Sequence, residues 1–280
     1  MTILLGISSG LCWGVADFLG GLQARRMSAL AVALWSQLAG AMGLLLVLLT
    51  LRETPPVSAL LWGAAAGAFG GTALLLFYRG LALGAMTVVA PVSASGVLVP
   101  VLVGLAMGER PGRLATLGIS VTVLGILLVS LQERTLAGRE PRARAALPLA
   151  LGAAVGFGLF YVFVDRGATG DFSPLWAIAG ARVGSLTTLL LILGLGRQSA
   201  PWPGRLAWPV ALVGILDTSA NALFAYATTR GELGVASVLG SLYPVATVLL
   251  GRFVLQEQLT ALQGAGVVLA LTGVALISGG

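Results

Sequence analysis

Apolar residues run along this chain in stretches of about twenty, broken by short polar punctuation. Ten such stretches fall at residues 3–22, 29–51, 59–78, 85–107, 114–131, 147–164, 174–195, 208–227, 235–254 and 261–277. A hydrocarbon core of about 30 Å is crossed by about 20 residues of helix, so each is long enough to span a bilayer. The interruptions are compact: Arg25-Arg26, Arg52-Glu53, Glu109-Arg110-Pro111-Gly112, Asp165-Arg166 and Arg230-Gly231-Glu232. The longest polar stretch, from Gln132 to Arg144, lies at the middle of the sequence. The pattern predicts an all-α integral membrane protein of ten transmembrane helices, with no length left over for a second, soluble domain.

Composition sharpens this reading. Of 280 residues, 58% are hydrophobic and 9% charged, against the roughly 25% charged of a soluble domain. Soluble enzymes, disordered chains and disulfide scaffolds are excluded on that ground. There is no histidine, and all 16 basic residues are arginine. Imidazole bases, Schiff-base lysines and a phosphate-loop lysine are therefore absent, and no metal or cofactor site is expected. Cys12 stands alone and has no intrachain partner. The positive balance does not point to nucleic acid, because the arginines are dispersed and form no basic stripe. No basic segment precedes the first apolar run, so that run is expected to stay in the membrane as a helix.

The central polar stretch divides the chain into two similar halves: a five-helix repeat at residues 1–131, a basic linker at 132–146 and a second repeat at 147–280. Glu109, Leu114, Gly118, Gly125, Leu128 and Ser130 recur 148 positions later as Glu257, Leu262, Gly266, Gly273, Leu276 and Ser278. Tyr78 and Tyr226 share that offset, while Gly6 and Gly10 match Gly152 and Gly156 at 146. Each half holds five spans. An odd number sends the second copy into the bilayer from the opposite face, giving two inverted five-helix repeats. That architecture is associated with carriers that bind solute near the midplane between repeats.

Ionisable groups inside a span cost about 2.5–3.5 kcal/mol each on insertion scales. Asp17, Arg182 and Asp217 are placed this way. Asp17 shares a helix face with Gly6, Gly10 and Trp13, so an indole and a carboxylate lie beside a closely approachable surface. Asp217 falls near the middle of its span with Asn221 one turn further on. Asp17 and Asp217 are candidates for coupling transport to a proton or cation. Arg182 lies at a depth comparable with Asp217 and is a candidate for a structural ion pair with it. Pro91 and Pro100, and Pro244 in the second half, interrupt the helical ladder. Ser93, Ser95, Ser241 and Tyr243 near them carry hydroxyls that can meet a solute. Glu109 and Glu257 at helix ends read as caps or as ties between repeats. Gly63, Gly67, Gly70, Gly71, Gly266 and Gly273 read as close-packing contacts, and Trp202 and Trp208 as an interfacial belt.

Trp13-Gly14, Gly108-Glu109-Arg110, Ser241-Leu242-Tyr243-Pro244-Val245 and Gln256-Glu257-Gln258-Leu259 ahead of a glycine-patterned last helix are similar to signatures of the drug/metabolite transporter superfamily. The chain resembles its EamA-type branch over essentially its whole length. Gly96 stands where that pattern usually has a proline. The resemblance implies a ten-helix secondary carrier for small organic solutes, frequently an exporter of amino acids or related metabolites. It also implies a cavity lined by helices 1, 3, 4, 6, 8 and 9. The expected partners are a small-molecule solute and the lipid bilayer of the cell membrane, for a monomer or a homodimer. A membrane scaffold without transport of its own is the alternative, and it would lack a polar cavity.

Orientation is left open by two opposed signals. Ten spans put both termini on one face, and the loops of the other face carry more arginine, which places the termini outside. The family resemblance implies cytoplasmic termini.

Overall fold

The computed structural model describes residues 1–83, 89, 92–137, 141–254 and 261–279. Pro91, the turn at Gln256, Glu257, Gln258 and Leu259, and the middle of the basic linker lie outside the described residues. Within them every regular element is helical, as a lipid environment requires when water cannot satisfy backbone N–H and C=O groups.

The helices are α1 (Thr2–Ala24), α2 (Ala29–Leu48), α3 (Val57–Ala82), α4 (Leu98–Ala106), α5 (Arg113–Ala137), α6 (Pro141–Ala168), α7 (Leu175–Leu195), α8 (Ala207–Thr228), α9 (Leu233–Gly240), α10 (Tyr243–Val254) and α11 (Ala261–Gly279). Seven helical segments are long and apolar enough to cross a membrane, with α9 and α10 counted together as one. Shorter apolar helices at Val92–Ala106, Arg113–Gly125 and Gly264–Ile277 accompany them.

Several ends differ from the hydropathy pattern for a physical reason. Hydropathy follows the lipid, whereas the helix follows its own hydrogen bonds. So α5 continues to Ala137 and α6 begins at Pro141, taking much of the linker into regular structure. The ninth span is not one helix: α9 stops at Gly240, a turn intervenes, and α10 restarts at Tyr243. Pro244 occupies the second position of α10, where a missing N–H leaves no helical bond unmade. The fourth span is also broken, by a 3₁₀ turn at Ser95–Val97 before α4. Ser28 begins α2 by accepting the Ala31 N–H at 3.2 Å.

Helix pairs meet through glycine. Gly63, Gly67 and Gly71 of α3 lie against the backbone of Ala177, Ala181 and Ser185 on α7, so these helices run parallel. Gly214 of α8 lies against Ser36 of α2, and Gly40 against Gly214 and Thr218, again in parallel. Gly10 of α1 packs on Leu239 and Gly240 of α9, and Gly158 of α6 packs on Gly96 and Val99 of the fourth span. The counterpart of Gly10 by packing is therefore Gly158, at the offset of 148, rather than Gly156, which packs on Phe69 and Ala73 of α3. At the edge, Gly118 of α5 meets Gly273 of α11, and Gly125 meets Gly266. The residue number rises along α5 as it falls along α11, so this pair is antiparallel.

The main partnerships occur in twos under exchange of the halves. α3 packs on α7 as α8 packs on α2, α3 on α6 as α8 on α1, and α1 on the ninth span as α6 on the fourth. α5 and α11 pack chiefly on each other.

Candidate functional site

A cavity opens among α1, α2, α3, α6, α7, α8 and the start of α10, with about 50 Å³ of space open to the centre of a water-sized sphere. On the scale of about 10–15 Å³ for one water, it has room for only a few. Trp13, Asp17, Asp217, Asn221 and Tyr243 line it, as does Arg182. Among the described residues the fourth span contributes no lining side chain. α2 and α7 do, which departs from the set of helices expected from the family resemblance.

The polar wall has a definite order. Arg182 Nη1 donates to Asp217 Oδ2 at 2.9 Å and also to Gln37 Oε1. Ser185 Oγ donates to the same Gln37 oxygen at 2.9 Å, and Gln37 Nε2 approaches Asp217 Oδ2 at 3.4 Å. The expected Arg182–Asp217 pair is thus formed, with a Gln37–Ser185 bracket around it. Asn221 turns back, its Nδ2 donating to the Asp217 backbone carbonyl at 2.6 Å. Removing one partner of such a buried pair leaves an uncompensated charge, at about 3–5 kcal/mol.

Two side chains of the cavity carry polar atoms that are left unmatched. Arg182 is buried, with 5% of its surface exposed, and its Nε and Nη2 carry no hydrogen bond among the described residues. Leaving a buried donor unmatched costs about 1–3 kcal/mol, more when the group is charged. Asp17 is also buried, and its carboxylate has no hydrogen bond or ion pair among the described residues. The cavity thus presents two carboxylates and one guanidinium, with Asp17 uncommitted.

The opposite wall is aromatic. Trp13 stands 5.5 Å from Tyr161 and 5.8 Å from Phe224, centroid to centroid, and Tyr161 is 4.7 Å from Phe224. Phe157, Phe160 and Leu74 extend it, and Gly67, Gly70 and Gly71 complete the lining on the α3 side. Ser93 and Ser241 are not lining residues but sit behind two that are. Ser93 Oγ and Tyr243 Oη lie 3.0 Å apart, and Ser241 Oγ reaches Tyr161 Oη at 3.5 Å. Ser95 bonds back to the Val92 carbonyl at 2.7 Å within the 3₁₀ turn and does not line the cavity.

Gln37, Ser185 and Tyr161 are polar lining residues that the sequence did not single out, and Leu74, Phe157, Phe160 and Ala181 are apolar ones. Gln37 and Ser185 stand 148 positions apart, so they occupy equivalent places in the two halves.

Carboxylates also tie the halves together away from the cavity. Glu109 accepts the Leu233 and Gly234 N–H groups at 2.6 and 3.1 Å, capping α9 across the repeats. Burial and the nearby Glu109 push the Glu232 carboxyl above its usual range. Glu53 accepts from Ser173 N–H at 2.9 Å and from Trp176 Nε1 at 3.1 Å. Among the described residues no group of three or more His, Cys, Asp or Glu side chains is placed to hold a metal.

The many-pass helical bundle thus encloses a cavity with one charged and one aromatic wall. The profile of the EamA-like transporter family matches residues 1–131 and 144–279, one match to each half, and the chain belongs to that family. A protein known from a crystal structure is similar in fold, with a TM-score of 0.71 and 20% sequence identity over 99% of this chain and 96% of that one. No curated protein matches the chain.

Proposed function

We propose that the protein is a secondary carrier of small organic solutes, an exporter of amino acids or related metabolites that works by alternating access. In this reading the ten spans form two inverted repeats, and the solute binds in the cavity between them. The observation that carries it is the central cavity in which a buried, unpartnered Asp17 faces an Arg182–Asp217 pair. A scaffold has no use for an uncommitted carboxylate at that depth, where burial of a charge is expensive. The antiparallel α5–α11 pair, whose glycines are related by the repeat offset, supports the inverted arrangement.

Asp17 is the coupling group of this mechanism, because no neighbouring charge or donor claims it. Asp217 holds the second candidacy less firmly, since Arg182 and Gln37 already occupy it. Trp13, Tyr243 and Asn221 contact the solute, and Ser93 and Ser241 orient the tyrosines. A cavity with room for a few waters admits a metabolite only when one bundle of helices rocks away from the other. Each half-cycle then exposes the site to one side of the cell membrane.

Purified protein in liposomes is expected to exchange labelled amino acids by counterflow, with Asp17→Asn abolishing dependence on the proton gradient. Retention of wild-type pH dependence by Asp17→Asn removes Asp17 from coupling. Absence of exchange for any solute class defeats the carrier reading.

A further inference from the structure

Arg182 makes both of its bonds through one nitrogen. Nη1 takes Asp217 and Gln37, whereas Nε and Nη2, both buried, remain unmatched. In a guanidinium those two nitrogens share one edge, and their parallel N–H bonds form the fork that meets two oxygens of a planar oxyanion side-on. A group needed only to neutralise Asp217 would be served by a single ammonium. The structure instead holds a rigid fork by its far nitrogen, with Gln37 and Ser185 fixing that end, and leaves the recognition edge unused.

We propose that this edge of Arg182 is the carboxylate subsite of the carrier, a proposal that rests on the transport reading above. The two halves of the charge pattern then fit one class of solute. A carboxylate takes the fork, and a positively charged amine on the same molecule faces Asp17. Two carboxylates and one guanidinium already line the cavity, so a zwitterion adds no net charge, whereas a phosphate ester would add further negative charge to a site in excess of it. The fork is buried in the conformation described here, so the same rocking that admits the solute exposes it. Closure around the bound solute then buries the fork matched by a carboxylate instead of unmatched.

The test uses competition in proteoliposomes. Counterflow of a labelled amino acid mixture is inhibited by unlabelled amino acids, by their carboxamides and by the corresponding amines lacking the carboxyl. In the wild type, amino acids are expected to compete at least ten-fold better than amides or amines. In Arg182→Lys, which keeps the charge beside Asp217 but has no fork, the preference is expected to fall within two-fold. Equal competition by amides and amines in the wild type overturns the subsite while leaving the carrier standing, and needs no variant to fold. Undiminished preference in a folded Arg182→Lys overturns it as well. Exchange of no solute at all defeats the transport reading and the subsite together.

Discussion

Gly118 meets Gly273 and Gly125 meets Gly266 at the α5–α11 seam, and each contact is the image of the other under the 148-residue offset. At the cavity the same offset takes Arg182 to Leu34 and Asp217 to Phe69. The seam is a place where both copies kept the same residues for the same packing job. At the centre the copies parted at this pair: one half supplies Arg182 and Asp217 where the other supplies apolar residues, while Asp17 and its image Asp165 are both aspartate. Symmetry builds the scaffold, and its breakage builds the site. The contrast has energetic content too: the seam gains from close backbone approach, while the centre tolerates buried charge that stability alone would not retain.

The largest effect expected from breaking this contrast is at the pair. Arg182→Ala leaves the partly buried Asp217 without its counter-charge, and thermal unfolding in detergent should show a loss of about 3 kcal/mol, the lower end for a buried pair. Adding Asp217→Ala should restore much of the stability and none of the exchange. A carrier that still exchanges solute as the double variant separates the pair from function.

At the seam, Gly273→Val places a branched side chain against Gly118 and Thr122. Overpacking of this kind costs about 1–3 kcal/mol. The expected signature is reduced stability with near-normal exchange per folded molecule, since α5 and α11 pack chiefly on each other. Loss of solute preference in this variant would show that the seam and the cavity are coupled.

Asp17→Asn tests the reverse case. With no hydrogen bond to lose, its stability should change by under about 1 kcal/mol, while exchange between about pH 5 and 8 becomes insensitive to the proton gradient. A strongly destabilised Asp17→Asn would reveal a structural role.

The smallest effect is expected at Glu109→Gln. An amide caps α9 less well than a carboxylate at a helix N-terminus, by about 0.3–1 kcal/mol. Unfolding should report this with the solute preference unchanged.

Much of this was legible in the chain because lipid imposes a simple rule on composition. The apolar runs located the helices, and a charge within a run announced Asp17, Arg182 and Asp217, including the pairing of the last two. Pro244 marked the break in the ninth span. Gln37 and Ser185 were not legible, since neutral polar residues occur in transmembrane helices without consequence until the helices are placed side by side. Ser95 was misjudged for a related reason. A hydroxyl near a helix interruption serves the local backbone as readily as a solute, and here it bonds the Val92 carbonyl. The ends of α5 and α6 escaped hydropathy because a helix does not stop where the bilayer does.

In the proposed mechanism a solute site between oppositely oriented halves is reached from each side of the membrane in turn. A single cysteine at Ala181, buried on the cavity wall, can be followed in a Cys12→Ser background with a membrane-impermeant thiol reagent applied to sealed vesicles of both orientations. Labelling is expected from both faces, slowed on each by saturating solute. Labelling confined to one face, or indifferent to solute on both, would contradict it.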